Sequence, residues 1–309
     1  MRIADLHLLP KVRDASSFVY LERGRLEQDD RAVAFVNELG RVALPVANIA
    51  LIMLGPGTTV THRAVVNATE CGCSIAWVGE EGVRMYASGL GATRSARRLL
   101  RQVELLADDR QRMRVVREMY TMRFDEPLPP DATLRQIRGA EGARVRDTYR
   151  RLSREYDVPW SGRRYRRDRW EAATPINRAL SAANSCLYGI CHAAIVNVGY
   201  SPALGFIHTG KALSFVYDVA DIYKTETSIP AAFRAVGSGA PEVERAARHA
   251  LREEFHTSRL LSRIVDDLAR LFRLDEVDDP VDGDLARPGG LWDPEGIARG
   301  GINHGEAVR

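Results

Sequence analysis

The sequence predicts an α+β protein: a small N-terminal β-sheet domain over residues 1–90, a larger all-α domain over 91–275, and an acidic tail over 276–309. Three observations carry this. Up to about residue 90, short alternating or apolar runs of strand length are separated by Gly and Pro. From Thr93 the apolar residues recur at three- and four-residue steps, the period of a helix. Beyond residue 280 the chain turns glycine-rich and acidic without any period, a composition that cannot bury a core and is expected to be disordered.

Residues 17–22 alternate, Arg23-Gly24 turns, and apolar runs follow at 32–36, 41–46 and 49–54. Gly55-Pro56-Gly57 breaks the pattern, and Thr61 can cap a short helix through Glu70. Residues 73–78 and 83–87 then pair as a hairpin across 79–82. In the helical part, Leu99, Leu100, Val103, Leu106, Met113, Val116 and Met119 form one stripe. It belongs to a single long helix or to a pair broken near Asp108-Asp109. The loop 125–130 ends it, a second helix is expected over 133–156, and further helices over 174–197, 211–224 and 241–273.

The net charge of +3 conceals an asymmetry. Residues 94–170 hold 21 arginines against 12 acids, a net of +9, whereas residues 275–309 hold three arginines against nine acids, a net of −6. A basic middle suits a polyanion, and arginine, at 41 residues against three lysines, forks onto phosphate. Arginines interleave with Tyr149, Tyr156, Trp160, Tyr165 and Trp170, most densely at Arg163, Arg164, Arg166 and Arg167. Bases stack on rings while guanidinium groups hold phosphates, so the segment suits frayed or single-stranded nucleic acid. The alternative is a solvated basic loop with two rings tucked into the core. Four cysteines, Cys71, Cys73, Cys186 and Cys191, are too few for a disulfide framework, and zinc at Cys186-x4-Cys191-His192 is set aside as poorly spaced. No apolar run has membrane-span length and no signal-peptide core follows the charged start, so the chain is expected in the cytoplasm, away from membranes.

The chemistry concentrates between Gly205 and Lys224. Ala212, Phe215, Val216, Val219, Ile222 and Tyr223 mark one buried helical face, with Asp218 and Asp221 off it, one turn apart. Two carboxylates at that spacing repel unless a cation lies between them, and with a neutral imidazole they suit Mg²⁺ or Mn²⁺. His208 lies ten residues before Asp218, about 15 Å along a straight helix. Thr209-Gly210 must therefore fold it back. The alternative is a solvated helix face after an ordinary loop histidine. Upstream, Glu141 stands among arginines between Gly139 and Gly142, each costing about 1 kcal/mol in a helix interior relative to alanine. Close backbone approach, for instance by a metal-bound phosphate, would explain them; a plain Glu–Arg pair would not need them.

Taken together, Arg138-Gly-x-Glu141-Gly-x-x-Arg144, Gly205-Phe-Ile-His208-x-Gly and Ser214-Phe-Val-Tyr-Asp218-x-Ala-Asp221-x-Tyr-Lys224 resemble the CRISPR-associated integrase family. This is the catalytic Cas protein of spacer acquisition, in its subtype I-E form. The resemblance runs from the strand-rich start to about residue 275. It implies that the N-terminal domain dimerises and that the helical domain is catalytic. Glu141, His208 and Asp221 would be the metal ligands, for Mg²⁺ or Mn²⁺, with Asp218 beside them as ligand, supporting group or base and Lys224 offsetting transition-state charge. Tyr165, Trp170, Tyr188 and Tyr217 would meet splayed DNA ends, with Arg138, Arg144, Arg146, Arg163, Arg164, Arg166 and Arg167 holding DNA. The implied partners are a second copy of the chain, a small ferredoxin-like second adaptation protein with two integrase dimers flanking one partner dimer, double-stranded DNA with splayed or single-stranded 3′ ends, and CRISPR repeat DNA. The implied function is insertion of foreign DNA fragments into the CRISPR array by 3′-hydroxyl attack on a phosphodiester. A non-catalytic nucleic-acid-binding scaffold is the alternative, and it would need no divalent ion. Asp218, placed off the buried face, is expected to matter for the reaction more than for folding, with Asp218→Asn costing less than about 1 kcal/mol.

Overall fold

The computed structural model describes residues 16–29, 32–79, 85–89, 95–123, 129, 131–163, 173–273, 291–294 and 296–298. The strand-rich part contains β1 (Ser16–Leu21), β2 (Gly24–Asp29), β3 (Ala32–Asn37), β4 (Gly40–Leu44), β5 (Ile49–Leu54), β6 (Thr58–Val60), α1 (His62–Glu70), β7 (Ser74–Val78) and β8 (Met85–Ser88). One sheet has the order β1-β5-β7-β8, parallel except for β8; the other has the order β4-β3-β2-β6. Thr61 caps α1 as expected, accepting the Ala64 N–H. Two strands escaped the sequence pattern. In β2, Gly-Arg-Leu-Glu-Gln-Asp, only Leu26 is buried, and β6 is three residues long and half-exposed. Neither offers an apolar alternation to detect.

β5 is the hinge of the packing. All six of its residues are buried, as in a strand covered on both faces. Ile52 and Leu54 enter a core with Leu26, Val33, Phe35, Leu44 and the α1 residues Ala64 and Ala68. Leu51 and Met53 point the other way, into the large core formed with the helices. Gly189 lets a helix lie on that face, because a Cβ there would come within 3.2 Å of Leu51.

The helical part continues with α2 (Arg97–Ala107), α3 (Asp109–Arg123), α4 (Leu134–Glu155), α5 (Pro175–Val198), α6 (Ser214–Tyr223), α7 (Ser228–Gly237), α8 (Val243–Thr257) and α9 (Leu260–Phe272). The arginine-rich stripe is thus a pair, broken where Asp108 accepts the Arg110 and Gln111 N–H groups and caps α3. α4 opens on a capping box between Thr133 and Gln136. α5 is the central helix, packed against α6, α7, α8, α9 and the sheet. An 18-residue window of it is apolar enough to cross a membrane (mean hydropathy 1.4), yet 78% of that window is buried inside the protein. It is a core helix.

Several expected boundaries change. α6 starts at Ser214, not 211: Gly210 takes φ +78°, and Lys211 and Ala212 are exposed. α7 was not anticipated because of Pro230, which is harmless in a first turn where no N–H partner is required. The single helix expected over 241–273 is two, broken at Arg259 in the left-handed conformation (φ 47°). The tail, expected to be wholly aperiodic and disordered, contains a short antiparallel hairpin of β9 (Leu291–Asp293) and β10 (Gly296–Ala298).

Candidate active site

The segment before α6 is clamped from two sides. On α2, buried Gln102 donates to the Ser201 and Leu204 carbonyls and accepts the Ser201 N–H. On α3, Arg112 donates through Nε and Nη2 to the Phe206 carbonyl at 3.1 and 3.0 Å. Gly205 makes the close turn possible: a Cβ there would lie 2.3 Å from the His208 carbonyl oxygen and 2.9 Å from Ser214. The chain therefore doubles back toward α6 at Gly205 as well as at Gly210, bringing His208 beside the helix.

Asp218 holds the loop from the helix side. Its Oδ2 accepts the Phe206 and Ile207 N–H groups at 2.6 and 3.0 Å, and its Oδ1 accepts the His208 N–H at 2.8 Å. His208 Nδ1 lies 2.7 Å from the same Oδ1. The Asp218 side chain has no solvent exposure. This corrects the expectation that Asp218 stands off the buried face. The helix turns it inward, and a buried carboxylate persists there because four hydrogen bonds meet it. A carboxylate oxygen there accepts, so Nδ1 of His208 is the donor and, in the neutral imidazole, Nε2 keeps its lone pair. The hydrogen bond to Asp218 is the main cause raising the His208 pKa above its ordinary value; burial opposes it, and the Asp218 and Asp221 charges add to it.

The other two expected ligands meet at a guanidinium group. Arg123, at the C-terminal end of α3, places one nitrogen, Nη1, against Glu141 Oε1 of α4 and 3.8 Å from Asp221 Oδ2 of α6. Lys224 Nζ lies 2.5 Å from Asp221 Oδ1. Burial disfavours the lysine's charge, but Asp221, aided by Tyr188, outweighs it and holds the Lys224 pKa above the ordinary lysine value. Among the described residues no three His, Cys, Asp or Glu side chains converge closely enough to hold a metal ion. The structure thus draws Glu141 and Asp221 toward the same guanidinium nitrogen of Arg123 and holds His208 against Asp218, one helical turn before Asp221, without closing the three expected ligands on a common point. The donor set still suits a hard divalent cation: two carboxylate oxygens share one cationic neighbour, and an imidazole held through Nδ1 has Nε2 to offer.

Rings line the same surface. Lys224 Nζ sits 4.8 Å from the centre of the Tyr188 ring, Tyr188 meets Tyr217 edge-on at 5.1 Å, and Tyr217 meets His208 at 6.0 Å. Tyr120, buried on α3 and not singled out by the sequence, lies beside Arg138 and Glu141. Burial and the Glu141 charge raise its pKa, while Arg138 works in the opposite sense. Arg138 and Arg146 are exposed on α4, and Arg144 is half-buried. No backbone crowds this part of α4: a Cβ on Gly139 would meet nothing within 4 Å, and one on Gly142 only the Arg146 guanidinium at 3.3 Å. The expected close approach is not made by the protein itself.

The aromatic–arginine segment divides. Tyr149 and Trp160 stack on each other at 4.2 Å and 4°, and both pack on Phe233, so their faces serve the core. Arg163 donates to the Asn177 carbonyl, to Asn177 Oδ1 and to Ser181 Oγ, fastening the chain to the first turns of α5. Tyr149 and Trp160 are thus the two rings tucked into the core of the alternative reading, while Arg163, expected to hold DNA, is exposed and already tied to α5. Arg164, Tyr165, Arg166, Arg167 and Trp170 lie outside the described residues.

Two carboxylates, an oriented imidazole and a charged lysine, set where three helices meet beside exposed arginines, define a site equipped for phosphate-ester chemistry. The family model described as CRISPR associated protein Cas1 matches residues 123–242, the interval that contains Arg123, Glu141, His208, Asp218, Asp221 and Lys224. The sequence is 53% identical over 304 residues to a CRISPR-associated endonuclease Cas1 of Thermus thermophilus, covering 97% of this chain and 94% of that protein. It is 42% identical over 278 residues to the CRISPR-associated endonuclease Cas1 of Escherichia coli, covering 90% and 91%. The crystal structure of a TtCas1–DNA complex superposes with a TM-score of 0.81 at 51% identity, over 93% of this chain and all of that one. The chain belongs to the Cas1 family.

Proposed function

We propose that this protein is a metal-dependent DNA endonuclease and integrase of CRISPR adaptation. The observation that carries this is that Glu141 and Asp221 both pair with one cationic nitrogen, while His208 is held through Nδ1 by Asp218 on the same helix as Asp221. The names of its relatives and the DNA held by a similar structure support a DNA substrate. In this reading a 3′-hydroxyl of an incoming duplex with splayed ends attacks phosphorus at the edge of the CRISPR repeat. A new phosphorus–oxygen bond forms as the one to the repeat's own 3′-oxygen breaks, and the proton passes from the attacking to the leaving oxygen. With water as nucleophile the same site is an endonuclease.

Glu141, Asp221 and Nε2 of His208 would hold Mg²⁺ or Mn²⁺, which when bound supplies Lewis-acid stabilisation of the attacking and leaving oxygens. Asp218 acts as a positioning residue: it fixes the His208 tautomer and the loop that carries it. Lys224, kept protonated by Asp221, places a positive charge at the edge of the site, where negative charge grows on the phosphoryl oxygens. Tyr188 and Tyr217 present rings beside it for unpaired bases, and Arg138, Arg144 and Arg146 offer phosphate contacts along α4. The protein would act in the cytoplasm as a homodimer, two such dimers flanking a dimer of a small ferredoxin-like second adaptation protein.

The test is incubation with that partner, a short duplex and a supercoiled plasmid bearing a CRISPR array, with Mn²⁺, with Mg²⁺ or with EDTA. Metal-dependent joining by the wild type, lost in Glu141→Gln and Asp221→Asn while DNA binding survives, is the expected result. Joining in EDTA would overturn the metal reading. DNA binding with no cleavage or joining under any condition would favour a scaffold, consistent with an Arg123 that already neutralises both carboxylates.

A further inference from the structure

We infer that Arg123 is a built-in counter-cation that occupies the place of the divalent ion in the metal-free protein and competes with it for Glu141 and Asp221. The inference rests on the metal reading above and adds a residue to it. One nitrogen of Arg123 hydrogen-bonds Glu141 on α4 and stands at an ion-pair distance of 3.8 Å from Asp221 on α6, the side chain is only 9% exposed, and it arrives from a third helix, α3. Two carboxylates brought this close in a mostly buried site repel strongly unless a cation sits between them. Lys224 cannot serve both, since its ammonium is committed to the other oxygen of Asp221. Arg123 therefore lets the metal-free site fold with Glu141 and Asp221 drawn toward one cationic group. The same contacts oppose metal entry, because a cation binding both carboxylates has to displace the guanidinium from at least one of them.

This separates Arg123 from a residue that merely orients Glu141. An orienting arginine strengthens metal binding, and its loss weakens it; a competing arginine does the reverse. The experiment measures Mn²⁺ affinity by isothermal titration calorimetry and thermal melting with and without Mn²⁺, for wild type, Arg123→Met, Glu141→Gln and the double variant. Arg123→Met is expected to melt lower than wild type in EDTA, to recover most of that loss on adding Mn²⁺, and to bind Mn²⁺ about tenfold more tightly. Adding Glu141→Gln to Arg123→Met is expected to raise its melting temperature in EDTA, since one of the two stranded charges is gone. Unchanged or weaker Mn²⁺ binding by Arg123→Met overturns the inference. If the wild type binds no Mn²⁺ that Glu141→Gln abolishes, the metal reading fails instead. The double variant then decides on charge compensation alone, and a double variant no more stable than Arg123→Met rules that out too.

Discussion

Replacing Asp218 by asparagine keeps the shape of the side chain and exchanges one acceptor oxygen for a donor NH₂. Either amide orientation points that NH₂ at protein donors. With nitrogen in place of Oδ2 it confronts the Phe206 and Ile207 N–H groups; in place of Oδ1 it confronts the His208 N–H and Nδ1. With nitrogen at Oδ2 two hydrogen bonds are lost; with nitrogen at Oδ1 the His208 N–H loses its acceptor and Nδ1 keeps a bond only by shifting its proton to Nε2, and the remaining bonds lose the charge of their acceptor. At roughly 1.5–3 kcal/mol per hydrogen bond to a charged group, the loss is about 3–5 kcal/mol, several times the cost expected of a solvated helix position. Urea denaturation of wild type and Asp218→Asn at pH 7.5, followed by circular dichroism, reads the difference directly. The variant should also lose DNA joining, because the loop that turns His208 toward Asp221 no longer has its anchor. A midpoint shift corresponding to less than about 1 kcal/mol, with no change in the slope, would refute the structural account of Asp218 and restore it to the reaction alone.

Other expectations follow from particular contacts. His192 is buried in α5, and burial lowers its pKa to about 4 from 6.5; its folded pKa is depressed, so the stability it allows is full above pH 6.5 and is lost as pH falls toward 4. At pH 5 the unfolded chain is favoured by about 2 kcal/mol through this group, and a His192→Phe variant should show a flatter decline of urea stability between pH 7.5 and 5. Gly205→Ala should destabilise the protein by about 2–4 kcal/mol, since its Cβ meets backbone that cannot yield; a melt matching wild type would contradict the close turn. Gly139→Ala has open space and should instead stabilise α4 by up to about 1 kcal/mol, so loss of DNA cleavage in that well-folded variant would mark the bare helix surface as a place where DNA lies. Arg163→Ala should cost about 1–2 kcal/mol in a thermal melt while leaving the salt dependence of DNA binding nearly unchanged, because its hydrogen bonds go to Asn177 and Ser181.

The sequence by itself determined the strand-to-helix division, the capped α1 and the helices α4 and α5, because each is written in a local period or cap, whereas it left the break at Asp108 open against one long helix. It also singled out Glu141, His208, Asp218, Asp221 and Lys224, which stand in three short motifs and which the structure links in two ion-paired groups, Glu141–Arg123–Asp221–Lys224 and His208–Asp218. Only the tertiary structure decided what each of them does to the others. A helical wheel puts Asp218 beside Asp221, yet the first faces a backbone loop and the second a guanidinium, because burial depends on what packs against α6 and not on its period. Arg123 is one of 41 arginines with nothing local to distinguish it, and its meaning comes from the two helices it lies between. Tyr149 and Trp160 read as a nucleic-acid surface by composition, yet they pack on Phe233, and Arg163 spends hydrogen bonds on Asn177 and Ser181 while staying exposed. Aromatic rings and guanidinium groups serve a core contact and a nucleic-acid contact by the same forces, so the choice between them is made by the partner that the fold brings within reach.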